Sequence, residues 1–180
     1  MKIDSVLYRG LINKDLRVTY MYSYDTEGMY QTIKQKMSGR YSLFQSFSID
    51  ISEGYEKAHV FIPSNRYYQF TQLLGSAVKK ISENLLDLFP NIGQPEFDID
   101  SRTLERFQTE QALTTGGMTM MPAVYVDATN TAFAGIRISS CVGNTSIVIP
   151  FEDAIPMSKM FETFDPHMFG LSMLKIFGKM

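Results

Sequence analysis

The feature that most constrains this chain is a pattern that occurs twice, 87 residues apart. The segment Phe61-Ile62-Pro63 has its counterpart in Val148-Ile149-Pro150. At the same offset, the alternating apolar residues of 47–51 match those of 134–138, and helically spaced apolar residues follow both prolines. Each half therefore predicts a strand, a turn, a second strand, a proline and an amphipathic helix.

This order of elements predicts an α+β fold with two pseudo-repeated antiparallel β-sheets, each followed by an amphipathic helix. The length of 180 residues fits a single domain, 1–180. We expect it to consist of two similar halves, at about 1–90 and 104–180. They are joined by an acidic connector, 90–103, that contains Pro and Gly.

The clearest strand is predicted at residues 40–51, where apolar and polar side chains alternate. Gln45 is the one polar residue on the apolar side, and Phe44 falls on the polar side with Arg40. A helix is expected between Pro63 and Pro90, and Pro166 must break or kink the C-terminal helix. Further strands are predicted at 16–23, 57–62, 122–128, 132–140 and 146–149.

The composition excludes several classes of protein. With 44% apolar and 20% charged residues, the chain is too apolar to be disordered. No apolar run approaches the ~20 residues of a membrane helix, and the first residues resemble neither a signal nor a transit peptide. One cysteine, Cys141, excludes a disulfide framework and a cysteine-based zinc site. We therefore expect a cytoplasmic protein.

Catalytic patterns are weak. Two histidines leave little for acid–base catalysis, and no nucleophile stands beside a base in the sequence. Glu96, Asp98 and Asp100 alternate as metal ligands can, but they lie in the connector without a partner motif, and we interpret them as an acidic surface loop. We expect no enzymatic activity, no metal and no cofactor.

A single-stranded nucleic acid is held by positive charge along its backbone and by aromatic rings on which bases stack. Although the net charge is −2, residues 1–45 carry seven Lys/Arg against four Asp/Glu. By strand alternation, the outward sheet faces offer basic and aromatic side chains. The candidate phosphate contacts are Lys34, Lys36, Arg40, Lys57 and Arg137, and the candidate base contacts are Phe44, Phe61, Tyr125 and Phe133.

A second interpretation stays open. Outward aromatic residues can pair across strands, or a neighbouring subunit can bury them. The chain would then be an assembly protein, such as a virion or scaffold subunit, that uses the same face for protein contacts.

The C-terminal part carries a family resemblance. The strand 146–150 ends in Ile-Pro and precedes a helix with Pro166 before Gly170. This arrangement resembles the Whirly family of single-stranded DNA-binding proteins and its relatives, the guide-RNA-binding proteins and PC4-like domains. The family's Lys-Gly-Lys-Ala-Ala motif is absent, and Lys34-Gln35-Lys36 is its nearest counterpart.

The resemblance implies sequence-tolerant binding of single-stranded DNA, with RNA as the alternative, by a homo-oligomer without a membrane partner. It further implies a role in DNA replication, recombination or repair. The missing transit peptide favours a bacterial or bacteriophage version, in the cytoplasm of a bacterial or phage-infected cell.

Overall fold

The computed structural model describes residues 2–23, 44–53, 56–89, 102, 105–106 and 112–177. Two four-stranded antiparallel sheets are each followed by helices, which confirms the predicted α+β class. In both sheets the strands lie side by side in chain order. Among the described residues, no helix has the length and apolar character needed to cross a membrane.

The first sheet precedes a 3-10 turn and two helices. Pro63 ends the last strand in extended conformation, and its fixed φ suits the turn that follows. The elements are β1 (Lys2–Arg9), β2 (Arg17–Ser23), β3 (Phe44–Glu53), β4 (Glu56–Pro63), the 3-10 turn Ser64–Arg66, α1 (Tyr67–Glu83) and α2 (Leu85–Leu88).

The second sheet repeats this order. Its last strand also ends at a proline, Pro150, which directly precedes a helix. The elements are β5 (Leu113–Thr115), β6 (Met118–Val126), β7 (Ala132–Ser140), the 3-10 turn Val142–Asn144, β8 (Thr145–Pro150), α3 (Phe151–Thr163) and α4 (Pro166–Phe177).

The offset of 87 residues relates only the later elements of each half. It brings β3 onto β7 and β4 onto β8, but it does not bring β2 onto β6. The reason is the connection before the third strand, which spans 24–43 in the first half and only 127–131 in the second. The sequence also missed β1, since a register shift between Val6 and Tyr8 interrupts its period of two.

Helices α1 and α3 cover the apolar faces of the sheets and pack against each other. The Phe161 ring of α3 lies 5.3 Å from that of Phe47 in β3 and 5.0 Å from that of Phe70 in α1. One hydrophobic cluster therefore draws residues from both halves. The single-domain boundaries stay a prediction, and apart from Arg102 the connector 90–103 lies outside the described residues.

The prediction that Phe44 faces outward is wrong. Tyr22 pairs with Phe44 while Met21 pairs with Ser46, so Gln45 is the extra residue of a β-bulge. The bulge reverses the alternation, which exposes Gln45 and leaves Phe44 0% exposed. The bulge also explains why one polar residue, Gln45, stands among the apolar residues of the alternating sequence pattern.

The predicted break at Pro166 is confirmed. Helix α3 ends at Thr163, and α4 begins at Pro166, where the absent amide proton costs no helical hydrogen bond. The Asp165 carboxylate accepts the backbone N–H groups of His167 (3.0 Å) and Met168 (3.1 Å) as an N-cap.

Tyrosine hydroxyls from the first half hold this junction. The hydroxyl of Tyr22 donates to the carbonyl of Pro166 (2.9 Å), and that of Tyr67 donates to the carbonyl of Phe164 (3.2 Å). The hydroxyls of Tyr67 and Tyr20 are also 3.2 Å apart. The buried hydroxyls are thus satisfied by partners from the other half of the chain.

These buried tyrosines predict a loss of stability in alkali. Burial raises the pKa of Tyr20, and it raises the pKa of Tyr67 to about 12. In the unfolded chain both titrate near 10, so above that pH the unfolded state binds fewer protons and stability falls as pH rises. We expect urea denaturation to give a free energy of unfolding that is lower at pH 11 than at pH 9 by about 1 kcal/mol for each tyrosine. Tyr20→Phe should show a smaller decrease; an equal one would contradict this origin.

Candidate nucleic-acid interface

The face of the first sheet that points away from α1 carries a row of ionisable residues. Arg9 lies directly opposite Arg17, Arg17 opposite Asp50, and Asp50 opposite His59, so the row crosses all four strands. The neighbouring row, which includes Val18, is buried on the helix side. The sheet register therefore places three basic side chains and one carboxylate in line.

Lys57 and Phe61 share this outward face, as predicted. Lys57 pairs with Ser52 and is exposed, and Phe61 pairs with Ser48 and is half-buried. The backbone N–H of Phe61 points away from β3 and donates to the Thr145 hydroxyl of β8 (3.2 Å). The two sheets thus adjoin along β4 and β8.

The second sheet confirms the predicted face of Tyr125, Phe133 and Arg137. Tyr125 lies opposite Phe133, with their ring centroids 6.3 Å apart, and Arg137 is exposed opposite Val148. Tyr125 is only 4% exposed, and its hydroxyl accepts a hydrogen bond from the Asn13 side chain (3.0 Å). A base could not stack on this ring without a rearrangement.

Two adjoining grooves run across the junction of the sheets. The seam groove, of about 380 Å³, lies between β4 and the second sheet, and the sheet groove, of about 350 Å³, follows the outward face of the first. They share Ile51, Lys57 and Ala58. The other lining residues of the seam groove are Val124, Tyr125, Val126, Arg137, Ser146, Ile147 and Val148, and those of the sheet groove are Asp15, Arg17, Asp50, Ser52 and His59.

The charges of the two grooves differ in how far they are neutralised. Arg17 lies 3.9 Å from the Asp15 carboxylate, and Asp50 accepts a hydrogen bond from Ser48 (2.6 Å). Lys57 and Arg137 form no ion pair within the part of the chain that the structure describes. Among the described residues, the seam groove is therefore lined by two free cations and by no acidic side chain.

Other predicted contacts lie elsewhere. Phe44 is in the core, and the half-buried Phe61 and Phe133 are not among the residues that line the two grooves. Lys34, Lys36 and Arg40 lie outside the described residues, as do Glu96, Asp98 and Asp100. Nucleic-acid contact by any predicted residue stays a prediction.

The sequence interpretation missed Arg9, Arg17 and, as a lining residue, Ala58. Extending the alternation to β2 would have placed Arg17 outward, because its neighbours Leu16 and Val18 are both buried.

In the described ranges, no three His, Cys, Asp or Glu side chains form a cluster that could hold a metal ion. The chain matched no known family, no curated protein and no solved structure.

Proposed function

We propose that this protein binds single-stranded DNA, without catalysis and without strong sequence preference, along the seam groove and the sheet groove. The observation that carries this proposal is the position of Lys57 where the two grooves meet, with no ion-pair partner among the described residues, and of Arg137, which lines the seam groove from the other sheet. A role in replication, recombination or repair, in a homo-oligomer of a Whirly-like kind, is part of the proposal.

The proposal rests on charge first. Within the described ranges, Lys57 and Arg137 have no acidic partner that an approaching phosphate would displace, so its attraction to the cation is not offset by a broken ion pair. Arg17 and His59 continue the basic path on the first sheet, and Asp50 moderates it. This small excess of positive charge supports moderate, salt-dependent binding.

The preference for a single strand follows from the walls of the seam groove. Val126 is 45% exposed, and Val124 and Val148 are half-buried, so the groove offers apolar surface to a ligand. In a duplex the bases are stacked inside and mainly phosphates are presented. An unpaired strand can use both the cations and the apolar walls.

Removing either free cation is expected to weaken binding. Lys57→Gln and Arg137→Gln should each lower the affinity for an oligo-dT strand and make the slope of log K against log salt shallower by about 0.7, the value for one lost phosphate contact. Fluorescence anisotropy with a labelled strand measures both quantities. Lys159→Gln, an exposed lysine of α3 away from the two grooves, is the matched control.

The control should bind like the unchanged protein. If all three variants bind with the affinity of the unchanged protein, the grooves are not the path of the strand. If Lys159→Gln weakens binding as much as the other two, only the overall charge matters.

The assembly interpretation has an observation in its favour. Phe61 and Phe133 are half-buried on the outward faces, and the exposed Val126 lines the seam groove beside them. A second protein surface could cover them. Light scattering separates the two functions: if Val126→Ser dissociates an oligomer and oligo-dT does not bind, this face serves assembly.

A further inference from the structure

We infer that the seam groove holds one unpaired nucleobase, with Lys57 and Arg137 binding the phosphates of the same stretch of strand. This inference rests on the proposed function and gives the groove a defined occupant. It differs from phosphate binding alone because it assigns part of the affinity to the base itself.

The groove has two chemically distinct parts. Its lining includes the aliphatic residues Ile51 and Ala58 from the first sheet and Val124, Val126 and Val148 from the second. Its only charged lining residues are Lys57 and Arg137, both exposed and free of ion pairs within the described residues. A nucleotide has the complementary division into an apolar ring face and an anionic phosphate.

The size of the groove favours a single base. A volume of about 380 Å³ is near the lower end of the range for small-molecule sites, ~300–1,000 Å³. That room suits one flat ring system with its sugar and does not admit a stacked pair of strands. Aliphatic walls contact the ring face and do not read the hydrogen-bonding edge, so each of the four bases should be accepted.

Few polar groups in the groove are available to the base edge. The hydroxyl of Tyr125 already accepts a hydrogen bond from Asn13, and the hydroxyl of Ser146 lies 3.2 Å from that of Ser139. Ser146 is exposed and its hydroxyl can rotate to either donor or acceptor groups of a base. The groove therefore provides a tolerant contact rather than sequence recognition.

The test compares an oligo-dT strand with an abasic strand of the same length and phosphate number, by anisotropy at one salt concentration. The unchanged protein should bind the abasic strand about tenfold more weakly, as expected for the loss of one base contact. Ala58→Leu adds bulk at an exposed position of β4 that lines the groove. It should lower the affinity for oligo-dT more than the affinity for the abasic strand, and so bring the two affinities closer together.

Val126→Ser provides a second variant, since it removes apolar wall at a position where 45% of the residue is exposed. It should likewise lower the ratio of the affinity for oligo-dT to the affinity for the abasic strand. Thermal unfolding checks that both variants fold. Equal binding of the two strands by the unchanged protein would overturn the inference but leave phosphate binding intact. An unchanged ratio of the two affinities in both variants would also overturn the inference. Failure of both strands to bind would overturn the proposed function itself.

Discussion

Replacing Phe44 by alanine is expected to lower the free energy of unfolding by about 3–5 kcal/mol, the cost of truncating a buried aromatic side chain. Phe44 is 0% exposed, and its ring centroid lies 5.7 Å from those of Tyr20 and Tyr22 and 5.6 Å from that of Tyr67. The alanine variant would leave a cavity among rings whose hydroxyls are already committed to the α3–α4 junction. Urea denaturation followed by circular dichroism measures the change.

Phe133→Ala is the matched control, because Phe133 is the half-buried phenylalanine predicted for the corresponding face of the second sheet. It should cost clearly less than Phe44→Ala, since Phe133 is only partly buried. A similar loss in both variants would contradict the bulge at Gln45, because an outward Phe44 would behave like Phe133.

Asp153→Ala is expected to cost about 3 kcal/mol, because it leaves three partly buried donors without their acceptor. Asp153 lies in the first turn of α3 and is 0% exposed. Its carboxylate accepts hydrogen bonds from the Tyr8 hydroxyl (2.7 Å) and from the backbone N–H groups of Leu11 and Ile12 (3.2 Å for Ile12). The positive end of the helix dipole adds to its stabilisation.

The neighbouring carboxylate gives the control for Asp153. Glu152 is also in the first turn of α3 but is exposed, so Glu152→Gln should change stability by less than about 1 kcal/mol. Hydrogen exchange should show the amides of Leu11 and Ile12 exchanging faster in Asp153→Ala. If these amides keep their protection, the carboxylate does not anchor the β1–β2 loop to α3.

The sequence predicted the elements whose pattern is local. Strand β7 was predicted with its observed bounds, Ala132–Ser140, because apolar and polar residues alternate there without interruption. The α+β class and the break at Pro166 were predicted for the same reason: each depends on neighbouring residues only. Where a bulge intervenes, as at Gln45, the alternation changes phase and the face of Phe44 was assigned wrongly.

The candidate site was predicted only in part. Strand alternation placed Lys57, Phe61, Phe133 and Arg137 on outward faces, and the register confirms these faces. It could not predict that β4 adjoins β8, since Phe61 and Thr145 are 84 residues apart. The two grooves, and the burial of Tyr125 against Asn13, follow from that tertiary arrangement.

The most direct test of single-strand binding is fluorescence anisotropy with a labelled oligo-dT strand and a matched duplex over a salt series. We expect the single strand to bind more tightly than the duplex. For the single strand, log K should fall by about 0.7 per phosphate contact for each tenfold rise in salt concentration. The absence of single-strand binding at low salt, or equal affinity for strand and duplex, would contradict the proposed function.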